Sequence, residues 1–261
     1  MSLKNFIKNN CKPIMHIYVY LKLWLINTYM RQNGYVFCFE GIKSLFYLPY
    51  IRTDGIQIYM YGTRNYYERK LLDFLSNQWN NGIIGKTIKN ELVLDIGSNI
   101  GNHTLYFLNE CEAKFSYCFE PAKDTFQILK RNIEVNHLEK RTCLYNAGVG
   151  SSMGNANISS QRHKDTAYTK ILMAEKGNVN VVSIDGLGIK EKIGFVKIDV
   201  EGFELEVIKG MQKTLEENKP FVMIEIWNDN KEAILSIMED LGYCYQCLGD
   251  RRTQGDYLFY Q

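Results

Sequence analysis

The sequence predicts an α/β fold: a doubly wound, mostly parallel seven-stranded sheet with an N-terminal extension and a C-terminal antiparallel hairpin. Three observations carry this. The apolar run Leu92 to Asp95 passes through a glycine-bearing turn into a helical pattern through Leu105 and Leu108. Strand-like and helix-like stretches then alternate as far as residue 241, the mark of βαβ units and a parallel sheet. Two strand-like stretches, 243–248 and 256–260, close the chain around the turn-rich Gly249 to Asp256.

The elements follow in chain order. Ile14, Ile17, Tyr18, Leu21 and Leu25 recur at helical spacing within 13–30, which reads as an amphipathic helix. Tyr35 to Leu48 and Gly55 to Tyr61 look like strands around a turn at Arg52 to Gly55. Tyr66 to Trp79 has helical periodicity through Leu71, Leu72 and Leu75. Core strands are expected near 92–95, 115–119, 142–145, 194–198 and 221–226, and core helices near 102–110, 122–137, 202–216 and 230–241. Residues 147–185 break the alternation and read as a β insertion. The division is an extension at 1–65 and a main domain at 66–261.

Composition bounds the function. At 261 residues the chain suits one large α/β domain with a small addition. Net charge is +2, but unevenly placed: residues 1–90 hold 12 basic and 4 acidic side chains, the remainder 19 and 25. A basic extension beside an acidic main domain suggests an anionic neighbour, such as a phosphorylated carrier, an acidic glycan or a membrane surface. The alternatives are a scattered solvated surface and, for the apolar helix, packing on the domain or on a second subunit of a homo-oligomer. Seven cysteines, an odd number, and the lack of a secretory pattern argue against a disulfide framework and for a cytoplasmic protein. Cys244-x-x-Cys247 stands without a second pair or nearby histidines, so it is not read as a zinc site. Lys22 and His16 interrupt the most apolar stretch, so no transmembrane span is expected.

The chemistry concentrates at strand ends. In Leu92 to Thr104 (LVLDIGSNIGNHT) the buried strand ends in Asp95, and Gly97, Asn99 and Gly101 form the turn. Open α/β sheets bind ligands there, and glycine lets a cofactor lie against the backbone. A dinucleotide fingerprint needs glycine where Asn99 and Asn102 stand, so an oxidoreductase reading is weaker. About 25 residues after Asp95, FSYCFE ends in Glu120 and Pro121; a carboxylate there is placed to accept from two ribose hydroxyls, or to cap the next helix. Gly194 to Gly210 (GFVKIDVEGFELEVIKG) gathers Lys197, Asp199 and Glu201 where a strand meets a helix.

Together LDIGSNIGNHT, FEP, KIDVEGFE and Met223 to Trp227 (MIEIW) resemble the FkbM family of S-adenosylmethionine (SAM)-dependent O-methyltransferases, over roughly residues 66–261. The resemblance implies a class I, Rossmann-like methyltransferase fold with SAM as cofactor. It implies an acceptor hydroxyl on a sugar of a glycan, a glycolipid or a related natural product. The implied cofactor set is Asp95, Gly97, Ser98, Asn99, Gly101, Asn102, His103, Thr104, Glu120, Pro121, Asn146 and Asp199. The candidate catalytic acids, read from the C-terminal ends of the strands, are Asp199, Glu201 and Glu225.

A sugar hydroxyl must lose its proton as the new bond forms, so a general base helps. Asp199 and Glu201 are the first candidates, since neighbouring acids raise each other's proton affinity. Glu225, His103 and His163 are the alternatives. Asp185, Asp199 and Glu225 could hold a divalent cation, but no spacing demands one, and no metal is expected. Amino-methylating enzymes acting on nucleic acids carry a [DNS]-P-P-[YFW] tetrapeptide where this chain has Asp199 to Gly202 (DVEG). With no basic, aromatic-interleaved stripe either, no nucleic-acid partner is expected. A SAM-binding domain without catalysis is the remaining rival.

Overall fold

A computed structural model describes residues 34–160 and 169–261. The expected helix at 13–30, with the membrane contact argued from it, and His163 lie outside the described residues.

The described residues open with a small antiparallel hairpin, β1 (Val36–Cys38) and β2 (Leu45–Tyr47). Gly55–Thr63 is a helix, not the strand expected from the alternation of Ile56, Ile58 and Met60. Asp54 decides it: its carboxylate accepts from the Gln57 amide at 2.8 Å and caps the first turn. Gln57 and Met60, three apart, then face inward while Ile58 and Tyr59 stay exposed. The expected helix at 66–79 forms as an α-helix at Arg69–Asp73 and a wide π turn at Phe74–Gln78. A further helix, Ile83–Asn90, was not expected. Its apolar content is small, but Ile84 and Ile88, four apart, are both buried.

The main sheet comprises β3 (Leu92–Ile96), β4 (Phe115–Phe119), β5 (Thr142–Tyr145), β10 (Ile193–Ile198), β11 (Phe221–Trp227), β12 (Cys244–Asp250) and β13 (Gln254–Tyr260). Between β5 and β10 a second, four-stranded sheet forms from β6 (Ala147–Val149), β7 (Gly154–Ser160), β8 (Thr169–Met173) and β9 (Val179–Val182). The main order is β12-β13-β11-β10-β3-β4-β5. β13 is antiparallel to both neighbours, and the remaining contacts are parallel. β3 and β10 are buried along their whole length, as central parallel strands covered on both faces must be.

Helices cover both faces. Asn102–Leu105 runs on into a π turn at Tyr106–Glu110 and packs with Lys123–Val135 on one side. The expected helix at 202–216 is two helices, Glu204–Lys209 and Gln212–Asn218, which with Asn228–Asp240 cover the other. The N-terminal hairpin joins the first core through Phe39, Phe46 and Leu48. Its edge is sealed by side-chain amides: Asn136 accepts from the Leu45 amide at 2.8 Å and Asn132 from the Tyr47 amide at 2.6 Å. Because β10 and β4 flank β3 on opposite sides, the chain leaves β3 at the point where the sheet order reverses. The crevice past its C-terminal end is where such sheets hold ligands.

Candidate active site

The turn after β3 is built for close backbone approach. The Gly97 and Ser98 amides both donate to the Phe119 carbonyl, at 3.0 and 2.9 Å, joining the ends of β3 and β4. Gly97 has φ 78° and Gly101 φ 88°. A Cβ on Gly97 would lie 1.8 Å from the Asp199 carbonyl oxygen, and one on Gly101 would lie 2.7 Å from Leu129 Cδ1. Packing of the neighbouring strand end and helix therefore requires both glycines, and Gly97 also lines the cleft. Asp95 and Ser98 also work inside the turn. Asp95 accepts from Thr104 Oγ1, and Ser98 Oγ donates to the Asp95 carbonyl at 2.6 Å.

Lys197 is the buried hub of this region. Its Nζ donates to the Gly97 carbonyl at 2.7 Å and lies 3.6 Å from Asp95 and 3.4 Å from Asp199. Burial alone would favour the neutral amine. The Asp199 and Asp95 carboxylates outweigh it and hold the ammonium charged.

Beyond the turn lies a cleft with about 930 Å³ of empty space including its open mouth. At one end Glu120 is buried, with one carboxylate oxygen taking the Asn99 amide at 3.0 Å and the other the Ala122 amide at 2.8 Å. Burial pushes its carboxyl up to about 7, against those two hydrogen bonds. Pro121 lines the same end. Asn146 stands behind it, donating to the Glu120 carbonyl at 2.9 Å.

At the other end three acids meet: Asp199 and Glu201 from the turn after β10, and Glu225 from β11. Glu201 sits at φ 52° and Gly202 at φ 98°. This left-handed turn is held by buried Glu204, which accepts from the Gly202 amide and, at 2.8 Å, from Asn230 Nδ2. Burial, then the charges of Asp199 and Glu225, push Glu201 up to about 8. Burial and Asp199 push Glu225 up to about 7. Carboxylate oxygens of the three acids come within 4.8 Å of one another, a spacing that would also suit a divalent cation. Asp185, the other acid considered for such a role, caps the Gln212–Asn218 helix through the Lys213 and Thr214 amides.

Of the residues expected to bind cofactor, Gly97, Asn99, Glu120, Pro121 and Asp199 line the cleft. Asp95, Ser98, Gly101, Asn102, His103, Thr104 and Asn146 do not; they support the wall. Asn102 pairs with the backbone of Tyr67, accepting from its amide at 2.9 Å and donating to its carbonyl at 3.1 Å. His103 Nε2 lies 3.5 Å from Glu68.

Sequence reasoning missed several lining residues. Ile56, Tyr67 and Glu68 arrive from before β3, and Arg251 and Gln254 from the closing hairpin. Arg251 spans the cleft mouth, 3.0 Å from Glu225, 3.3 Å from Asp256 and 3.7 Å from Glu68. The basic turn at Arg251-Arg252 was the one sequence signal available for it. Tyr67 and Glu68 had none beyond their helical surroundings.

The family model for the methyltransferase FkbM domain matches residues 95–245. A stretch of 144 residues is 33% identical to a hexuronic acid methyltransferase, AglP, of Haloferax volcanii. It covers 53% of this chain and 56% of that protein, so the match spans just over half the relative's length. Methyltransferase sdnD of Sordaria araneosa is 26% identical over 192 residues, covering 59% of this chain and 74% of the relative. The crystal structure of methyltransferase FkbM from Methylobacillus flagellatus KT superposes with a TM-score of 0.48 at 22% identity. It covers 65% of this chain and 43% of that one.

Proposed function

Because this chain belongs to the FkbM methyltransferase family, we propose that its cleft performs SAM-dependent O-methylation of a sugar hydroxyl in a glycan or glycolipid. The observation that carries the reading is the pairing of two unlike ends in one cleft. One end offers a buried carboxylate, Glu120, at the close of the second parallel strand. The other offers Asp199, Glu201 and Glu225.

The residues fit the cofactor on their own chemistry. In this reading Glu120 would accept from vicinal ribose hydroxyls, donors that favour the ionised form of a buried carboxyl raised to about 7. Ile96, Phe119 and Pro121 give the same end an apolar wall. When bound, SAM supplies a methyl group on a sulfonium leaving group. The protein then has to align the acceptor oxygen and take its proton.

Glu201 is the base in this reading. Its left-handed turn is fixed by Glu204 and Asn230, and a group near 8 is matched to proton transfer near neutrality. The hydroxyl proton passes to the Glu201 carboxylate as the new carbon–oxygen bond forms. Glu225 is held by Arg251 and serves to keep Glu201 basic. Support for a sugar acceptor comes from the haloarchaeal relative, whose name gives a hexuronic acid as its substrate. The test is transfer of a labelled methyl group from SAM to a glycan panel, read by mass spectrometry as the mass of one added methylene. Binding of SAM with no hydroxyl methylated in any sugar would refute the acceptor class.

A further inference from the structure

The acceptor end of the cleft is framed by residues outside the family motifs. Ile56, Tyr67 and Glu68 come from before β3, and Arg251 and Gln254 from the closing hairpin. Among these Tyr67 has a distinctive combination of restraints. Its backbone amide and carbonyl are both taken by Asn102, in the helix that leaves the glycine turn, so the tyrosine is registered to the cofactor loop. Its ring packs edge-to-face with Tyr59, centroids 5.4 Å apart and planes at 82°. Tyr67 lines the cleft together with Glu68, Asp199, Glu225 and Arg251, so the tyrosine shares the charged end of the site.

We propose that Tyr67 is the acceptor-binding platform of this site, its ring packing on the C–H face of a pyranose and its phenol donating to the hydroxyl oxygen that is methylated. The proposal rests on the methyltransferase reading above and adds the residue that holds the acceptor. A pyranose has an apolar C–H face and a rim of hydroxyls. An aromatic ring beside carboxylates offers a matching pair of surfaces, since carboxylates accept from hydroxyls and the ring covers the rest. Burial, then Glu68, push the phenol up to about 12, so it remains an O–H donor across the working range of the acids around it. The orienting value is geometric: the Asn102 clamp fixes the Tyr67 backbone relative to the loop that carries Gly97 and Asn99, and the Tyr59 ring packs against the Tyr67 side chain.

The test uses the full chain, methyl hexopyranosides as probes, and Tyr67→Phe and Tyr67→Ala. Calorimetric SAM titration reports whether each variant keeps its folded cofactor end. Saturation-transfer NMR reports the pyranoside, and steady-state transfer separates KM from kcat. Tyr67→Ala is expected to raise the pyranoside KM about tenfold and to abolish saturation transfer to the ring C–H protons, with SAM affinity retained. Tyr67→Phe is expected to keep saturation transfer and lose kcat. If both variants bind and methylate pyranosides as the wild type does, the platform is elsewhere and the methyltransferase reading survives. If the wild type binds SAM and no pyranoside, the proposal is likewise overturned. If Tyr67→Ala loses SAM affinity as well, Tyr67→Phe decides: unchanged kcat refutes the phenol's role. Failure of the wild type to bind SAM refutes the underlying reading itself.

Discussion

Lys197 Nζ donates to the Gly97 carbonyl at 2.7 Å, across a separation of 100 residues. Lys197 stands on β10, where it is the register partner of Asp95, and Gly97 lies in the turn after the adjacent parallel strand β3. One buried ammonium thus fixes the glycine turn, the acid before it and, through Asp199, the acidic end of the cleft. The lysine of the KIDVEG string is a structural tie between the two halves of the site.

Lys197→Met should therefore be strongly destabilising. It leaves Asp95 buried without its counter-charge and frees the Gly97 carbonyl. Urea denaturation should show a loss of about 3–5 kcal/mol, the usual cost of stranding a buried charge. A loss below about 1 kcal/mol would mean the lysine is not the tie described.

Gly97→Ala tests the turn. The added Cβ would meet the Asp199 carbonyl, and the residue would be held at φ 78°. Crowding and left-handed backbone strain together should cost roughly 2–4 kcal/mol. Thermal unfolding should report this without cofactor present. An effect confined to SAM affinity would instead place the ligand against this glycine.

Glu120→Ala should weaken SAM by roughly 1.5–3 kcal/mol, the worth of one or two charge-assisted hydrogen bonds. In the wild type, SAM affinity should rise with pH through about 7, as the Glu120 carboxyl ionises and becomes a full acceptor. Calorimetry across pH checks both, and Glu120→Gln should flatten the profile.

Glu201→Gln should lower turnover by about 10²–10⁴ with little change in SAM affinity. The wild-type rate should climb with pH through the region near 8 where Glu201 ionises. Loss of that limb in the variant identifies the base; its survival moves the role to Asp199 or Glu225.

The same carboxyls set the pH dependence of stability. Glu120, Glu201 and Glu225 all stand above the ordinary 4.5 in the folded chain. Between that value and about 7–8 the folded state holds more protons than the unfolded one. Their contribution is fully present below 4.5 and is lost as pH rises through the folded values. Ligand-free protein should thus lose stability from these groups between pH 5 and pH 8, and denaturation midpoints should show it. The variant Glu201→Gln should reduce the slope.

What the sequence by itself determined was local. A wholly apolar run such as Leu92 to Leu94 must be covered on both faces, and a polar residue at its end must sit at the rim. That logic located Glu120, Asp199 and the alternation of strands and helices; Asp95 instead lies fully buried within β3, one residue short of its end. It failed where two local patterns compete. Ile56, Ile58 and Met60 alternate as in a strand, yet the Asp54 cap makes that stretch a helix. Tertiary structure alone decided which residues face one another. Glycine spacing suggests room for a ligand; only the fold adds that a Cβ on Gly97 would meet Asp199, because β10 lies beside β3. Tyr67, Glu68 and Arg251 reach the cleft only because the N-terminal segment packs on the helix after β3 and the hairpin closes the sheet edge. Side-chain direction along one strand follows from its own period. The meeting of segments far apart in sequence follows from strand order, which no single segment carries.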